Sequence, residues 1–198
     1  MEQERICHVT SAPDWSALPV IPIAYQRRPA GSGVEAFAQI CRGEEQFFLR
    51  MWAIEKHIRA EITDPLGQVC QDSCLEFFFR PIPEDLRYFN IECNPNGCLF
   101  LGFGSCFDDL IRLYPLQSRI CPEIDRREDR WEIFYTVPFS FIRQFFPDFA
   151  PEPGGVLRAN FYKCGERTQI PHSFCWKPSA SRPHGFHCPE NFGTLIYE

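Results

Sequence analysis

The sequence predicts an all-β protein: an antiparallel β-sandwich of two sheets with one short helix, in a single domain over residues 1–198. The chain contains 18 prolines and 12 glycines, which divide it into short segments without a repeat or a linker. These segments are rich in Phe, Ile, Val, Tyr and Trp, which favour strands, and 20 residues are Phe. With 44% hydrophobic residues, a chain of 198 residues can bury the core of one domain.

Eight segments predict strands, because each is short, apolar or alternating, and bounded by turn residues. They are residues 34–41, 46–54, 74–80, 88–94, 98–103, 131–137, 156–162 and 193–197. The stretch "PFSFIRQFFP" (138–147) predicts the helix, since Phe139, Ile142 and Phe146 recur at helical spacing between two prolines. Residues 106–123 predict neither a structure nor a role.

Charge and hydropathy argue against several classes of partner. The formal net charge of -6 and the pI near 5.4 do not suit nucleic acid or an anionic membrane. No run approaches the ~18 apolar residues of a membrane span. The first residues lack the basic start and apolar segment of a secretory signal, so we expect a cytoplasmic protein. The oligomeric state is left open by the composition.

The chain contains 11 cysteines, and in a cytoplasm they are expected to remain thiols and to act mainly as small core residues. Their spacings lack the paired CxxC pattern of a structural zinc site. A metal held by His172, His184 and His187 is an alternative, although these residues have neither HxH nor HExxH spacing. The favoured interpretation is that the histidines of this C-terminal segment form hydrogen bonds in a proline-rich extended loop. The sequence therefore predicts no metal ligand.

Alternation along four strands separates an apolar face from a polar one, because successive side chains of a strand point to opposite faces. The polar faces carry Arg, Asn, Glu and aromatic residues rather than Lys, Ser and Thr. Bidentate Asn, Glu and Arg groups suit sugar hydroxyls, and aromatic rings suit the C–H faces of sugars. The alternative is that these polar groups satisfy one another beneath a covering loop. Sugar binding is the favoured interpretation.

Five motifs, in this order, resemble the family-9-like carbohydrate-binding modules with a DOMON-like sandwich. They are "VCQDSCLEFFFRP", "RYFNIECNPNG", "WEIFYTVPFSFI", "LRANFYKCG" and "PHSFCWKPSASRPHGFHCPENFG". The resemblance runs from about Trp15 to residue 198. It implies an antiparallel two-sheet sandwich that binds carbohydrate, usually as an accessory to glycoside hydrolases, with calcium as a structural ion of the loops.

The resemblance also implies which residues bind a mono- or oligosaccharide. In the family the sugar end lies between two tryptophans among polar groups of one sheet, and only one tryptophan matches by motif. The second would fall near Cys70 or Gln71, where no aromatic residue stands, and Trp52 is the candidate replacement from a neighbouring strand. Together with the strand faces, the predicted ligand-binding residues are Trp52, Glu76, Asn90, Glu92, Arg158, Asn160, Tyr162 and Trp176.

Catalysis is the main alternative to binding. Glycoside hydrolysis needs two carboxyl groups about 5–10 Å apart, and Glu76 with Glu92 would be the pair if their strands are neighbours. A Cys nucleophile is disfavoured, since Cys164, Cys175 and Cys188 follow no strand-to-helix turn that would lower a thiol pKa. Haem binding through Met51 is disfavoured because the chain has only two methionines. We therefore predict no catalytic residue, and a protein-docking module is the third hypothesis.

Overall fold

The computed structural model describes residues 4–26, 31–114, 118–179 and 185–198. The strands of these residues form a sheet of 14 strands in the order β10-β11-β5-β4-β1-β14-β12-β6-β7-β8-β9, with β2, β3 and β13 beside this path. The strands are β1 Glu4–His8, β2 Ile21–Pro22, β3 Tyr25–Gln26, β4 Glu35–Arg42, β5 Gln46–Ile54, β6 Cys74–Arg80, β7 Tyr88–Cys93, β8 Leu99–Gly104, β9 Ile111–Arg112, β10 Glu123–Arg126, β11 Arg130–Pro138, β12 Val156–Gly165, β13 His172–Cys175 and β14 Gly193–Tyr197.

Strand β1 joins the two halves of the sheet. Its first residues pair in parallel with β14, and Cys7 and His8 pair in parallel with β4. The other pairings are antiparallel, so the sheet is mixed and continuous rather than the two antiparallel sheets that the sequence predicted. The prediction missed this connection because β1, with the sequence ERICH, has too few apolar residues to be recognised as a strand.

The main hydrophobic core lies where the two halves of the sheet face each other. Phe47 of β5 is 6.4 Å from Phe79 of β6 between ring centroids, and its ring is stacked on Tyr197 of β14 at 6.1 Å. Trp131 of β11 is fully buried in the same cluster. Many phenylalanines occur within strands because their large rings, packed edge-on or stacked, fill the core between the two halves of the sheet.

All eight predicted strands are present, and residues 46–54, 74–80 and 193–197 have the observed bounds. The strands that were not predicted are β1, β2, β3, β9, β10 and β13, which have two to five residues each. Of these, β13 lies in the C-terminal segment that was predicted to be an extended loop. Residues 106–123, for which the sequence predicted nothing, contain β9.

The predicted helix is much shorter than residues 138–147. Helix α1, Phe139–Ile142, has four residues. The chain turns after Ile142, and the Arg143 Nε donates a hydrogen bond of 3.1 Å to the carbonyl oxygen of Phe149, which holds the turn. None of the helices among the described residues is long and apolar enough to cross a membrane.

Candidate functional site

The candidate site lies on the outer face, which we define as the side of β6, β7, β8 and β12 that points away from the main core. In register, Glu76 of β6 lies opposite both Tyr162 of β12 and Glu92 of β7, and Glu92 lies opposite Phe100 of β8. Phe78 of β6 has Asn160 and Asn90 as its partners in the next row. The structure thus brings Glu76, Asn90, Glu92 and Tyr162 together, as alternation predicted.

Two carboxyl groups at the centre of the outer face are buried side by side. The side chains of Glu76 and Glu92 are 2% and 8% exposed, and neither forms an ion pair with the described residues. The thiol of Cys164 donates to Glu76 Oε1 at 2.7 Å, and Asn90 Nδ2 donates to Glu92 Oε1 at 2.8 Å. Burial raises the pKa of Glu76 to about 7, and burial followed by repulsion from Glu76 raises the pKa of Glu92 well above its ordinary value.

This burial predicts that the protein loses stability as the pH rises from 4.5 to about 7, the ordinary and the folded-state pKa of Glu76. Between these values the folded chain retains a proton that the unfolded chain has released, so the free energy of unfolding falls with rising pH. The expected loss is on the order of 3 kcal/mol. Urea unfolding at pH 5, 6, 7 and 7.5, with a chelator present, should show a flatter profile for Glu76→Gln. Identical slopes in both proteins would contradict the assignment.

Asn90 carries an acceptor without a donor. Its side chain is fully buried, and its Oδ1 accepts no hydrogen bond from the described residues. The facing residue is Gly102, where a Cβ atom would stand 2.4 Å from this oxygen. A side chain at this position would collide with the Asn90 oxygen, which explains the glycine on β8. A buried acceptor of this kind costs free energy unless a donor reaches it.

Partly exposed side chains lie beside Glu92 on the outer face. Phe100 lies opposite Glu92, and the Arg112 guanidinium lies 4.5 Å from the Phe100 ring centroid. Phe186 is also partly exposed and packs on the same face. An aromatic and cationic rim of partly exposed side chains therefore lies on the outer face beside Glu92.

Asn160 and Tyr162, by contrast, hold covering segments in place. The Asn160 side chain donates to the carbonyl oxygen of Lys177 and accepts from its backbone N–H, both at 3.0 Å. The Tyr162 hydroxyl donates to the carbonyl oxygen of Phe186 at 3.1 Å, and the two rings are stacked at 4.1 Å. At these two positions the polar side chains form hydrogen bonds with the backbone of the segments that cover them.

The remaining predicted site residues lie elsewhere. Trp176 is 8% exposed and belongs to the main core, where its ring is 5.8 Å from that of Phe161. Trp52 lies in the other half of the sheet, stacked on Phe37 at 5.2 Å. Arg158 lies four residues before Tyr162 on β12, opposite Arg80 rather than Glu76, and its guanidinium donates to the Thr194 hydroxyl. The structure does not gather these three residues around Glu92.

A second buried polar cluster was not predicted. Lys163 is fully buried, and its Nζ lies 3.2 Å from Glu55 Oε2 and 2.8 Å from His172 Nε2. His172 Nδ1 lies 2.9 Å from the carbonyl oxygen of Ile170, so this nitrogen carries the proton and Nε2 accepts from the lysine. Ser73 donates to Glu55 Oε1 at 2.8 Å. Alternation offered a signal, since Lys163 continues the apolar face of β12.

Protein donors already hold the buried carboxylate of the loop before β6, and the calcium ion that the family resemblance implied stays a prediction. Asp72 is fully buried, its Oδ2 accepts from the backbone N–H groups of Glu61 and Ile62, and Arg59 lies 3.2 Å from its Oδ1. Calcium requires six to eight oxygen ligands. Among the described residues, the one group of three close ligating side chains contains two cysteines, which calcium does not favour.

The three-histidine metal site receives no support from the described residues. His172 contacts Lys163 on the core side of β12, whereas His187 Nδ1 lies 2.7 Å from the Tyr88 hydroxyl on the outer face. His184 lies outside the described residues. The two described histidines therefore belong to different clusters.

Comparisons with solved structures show related folds. A protein from Bacteroides uniformis, whose name proposes carbohydrate binding, has a TM-score of 0.81 at 24% identity, with 100% of this chain and 99% of that chain covered. A family 9 carbohydrate-binding module from Caldicellulosiruptor kristjanssonii in complex with cellotriose has a TM-score of 0.74 at 8% identity, covering 100% and 94%. A family 9 module of the same organism with glucose has a TM-score of 0.71 at 10% identity, covering 98% and 96%.

The family follows from the sequence match. The model of carbohydrate-binding family 9 matches residues 23–197, which is most of the chain. A search of curated proteins gave no match. The resemblance that the five motifs predicted is therefore confirmed, and the chain belongs to carbohydrate-binding family 9.

Proposed function

We propose that this chain binds a saccharide without transforming it, at the rim beside Asn90 and Glu92. The observation that carries the proposal is the buried Asn90 Oδ1 without a donor, beside a carboxyl group, in a member of a carbohydrate-binding family. A sugar hydroxyl can donate to this oxygen and accept from a neighbouring group at once. Such a bond removes the cost of the unsatisfied acceptor, so it contributes to affinity as well as to orientation.

The rim residues suggest how the sugar is oriented. Phe100 and Phe186 offer ring faces to the C–H groups of a pyranose, and Arg112 can donate to ring or hydroxyl oxygens. Two solved structures with the same fold hold cellotriose and glucose, so glucose units are the first ligands to test. An accessory role to a glycoside hydrolase is the finer form of this proposal.

Binding is favoured over hydrolysis by the state of the two carboxyl groups. Glu76 and Glu92 are direct partners on neighbouring strands, which is compatible with the roughly 5–10 Å between the two carboxyl groups of a glycosidase. Hydrolysis also requires one ionised nucleophile that reaches the anomeric carbon. Burial raises the pKa of Glu76 to about 7 and the pKa of Glu92 well above its ordinary value, so the pair favours protonated carboxyl groups over an ionised nucleophile.

Isothermal titration calorimetry with glucose and cellotriose tests the proposal. Asn90→Ala and Glu92→Gln should each weaken binding about 10-fold or more, since each removes a hydrogen bond in a desolvated setting worth roughly 1.5–3 kcal/mol. Glu128→Gln, which changes an exposed glutamate in the turn between β10 and β11, is the matched control and should bind as the wild type does.

Three outcomes would contradict the proposal. Binding that is equal in wild type, Asn90→Ala and Glu92→Gln would place the site elsewhere. No heat with either sugar in a folded wild type would favour a protein-docking role. Release of reducing ends from cellotriose by wild type, but not by Glu92→Gln, would favour the hydrolase alternative.

A further inference from the structure

A second ligand site is suggested by a group of side chains at the end of the outer face. Cys74 of β6 and Cys164 of β12 are direct partners across the two strands, and Glu76 follows two residues later on the same side of β6. One ligating atom from each of these three residues lies within 4.8 Å of the other two. We call Cys74, Glu76 and Cys164 the thiol–carboxylate cluster.

The cluster is buried, and no ion pair with a described residue compensates its carboxyl group. Its three side chains are at most 3% exposed, and the neighbouring carboxyl group of Glu92 is also buried. Neither Glu76 nor Glu92 has a Lys or Arg nitrogen within ion-pair distance among the described residues. Two buried carboxyl groups in this position must retain protons or gain a cation, because an uncompensated buried charge is very costly.

The size and chemistry of the cluster indicate which cation suits it. Zinc takes four ligands, with bonds of about 2.3 Å to sulfur and about 2.0 Å to oxygen, which puts neighbouring ligand atoms roughly 3.3–3.8 Å apart. A group whose ligating atoms lie within 4.8 Å of one another can contract around such an ion by small rotamer changes. Two thiolates favour zinc and its thiophilic relatives over calcium or magnesium.

A candidate for the fourth ligand lies beside this group of three but is not part of it. Glu92 lies opposite Glu76 in register, and Asn90 Nδ2 holds one of its oxygens at 2.8 Å. A ligating carboxylate that is itself held by a hydrogen bond is characteristic of protein metal sites. The Cys70 carbonyl oxygen, 3.6 Å from Cys164 Sγ, closes the other side of the cluster.

We propose that Cys74, Glu76 and Cys164 bind a thiophilic divalent cation of the zinc class, with Glu92 as the fourth ligand. Binding displaces the protons of both thiols and of any protonated carboxyl group, and these protons pass to solvent. The site requires pairing between β6 and β12, so it forms only in the folded chain. The two proposed sites share Glu92, but this proposal does not depend on sugar binding and stands if the protein binds no saccharide.

Cobalt(II) is the probe, because its thiolate complexes absorb in the near ultraviolet and its tetrahedral complexes absorb in the visible range. The full chain, treated with a chelator and kept reduced by a phosphine, should show both absorptions and saturate at one cobalt per chain. Zinc should then displace the cobalt and remove the absorption. Cys74→Ser and Cys164→Ser should each lower the saturating near-ultraviolet absorption by about half and weaken cobalt binding 10-fold or more.

The control variants separate this site from other thiols. Cys93→Ser removes a fully buried cysteine on the core side of β7, and Cys106→Ser removes an exposed one, so both should keep the wild-type spectrum. Glu76→Gln preserves the shape of the cluster and should weaken cobalt binding even if a cysteine variant fails to fold. Absence of thiolate absorption in wild type would overturn the proposal. So would an unchanged spectrum and affinity in Glu76→Gln, or the loss of the signal in Cys106→Ser.

Discussion

Lys163→Met is expected to destabilise the protein by about 3–5 kcal/mol, because it leaves the buried carboxylate of Glu55 without its cation. Lys163 is fully buried, and its Nζ lies 3.2 Å from Glu55 Oε2. The methionine fills a similar volume, so the loss reports on charge and hydrogen bonding rather than on a cavity. His172 Nε2, 2.8 Å from the lysine nitrogen, also loses its donor.

Urea unfolding at neutral pH measures this effect. Lys56→Met changes an exposed lysine and should alter the free energy of unfolding by less than about 0.5 kcal/mol. The double variant Lys163→Met with Glu55→Gln should be less destabilised than the sum of the single variants, because the unpaired charge has been removed. A loss below about 1 kcal/mol in Lys163→Met would show that the buried pair contributes little to stability.

Trp176→Ala is the second substitution with a large expected effect, a loss of about 3–5 kcal/mol of stability. The indole is 8% exposed, packs against Phe161 and has the Lys177 ammonium 4.4 Å from its ring centroid. Even a Cβ atom at Gly193 would come within 2.7 Å of the indole ring.

Thermal and urea unfolding, combined with sugar titration, distinguish this role from the stacking role that the sequence predicted. If Trp176 stacks on the sugar, Trp176→Ala should lose sugar affinity and keep its stability. If Trp176 is a core residue, Trp176→Ala should lose stability, and the protein that remains folded should bind sugar as before. Trp15→Ala, which truncates a partly exposed indole, controls for the general cost of removing a tryptophan. Retained stability with lost binding would return Trp176 to the sugar site.

Patterns within one strand predicted much of the fold and part of the site. Alternation placed Glu76, Asn90 and Glu92 on one side of neighbouring strands, and the structure brings these three residues together. Alternation cannot show whether a face is covered, and the segment that carries Phe186 hides Tyr162. The exposure of the aromatic residues was therefore harder to predict than the grouping of the polar ones.

Contacts between distant parts of the chain were not predictable from local patterns. Cys74 and Cys164 are direct partners on β6 and β12, although no spacing rule relates their positions. The buried lysine was visible as a polar residue on an apolar face, but its partner Glu55 lies just beyond the end of β5. Strand order, which no single segment encodes, decides both clusters.

The position of β1 between β4 and β14 has a consequence for how the chain folds. Glu4 lies beside Leu195 in this arrangement, so the two halves of the sheet join through a contact between distant parts of the chain. Pairing of strands far apart in sequence has an entropic cost of loop closure that precedes the gain from their contacts. Proteins with many such pairings fold on timescales of roughly milliseconds to seconds. Until β1 is seated, the edges of β4 and β14 remain open to pairing with other molecules. The slowest step of folding is thus expected to coincide with the greatest risk of aggregation.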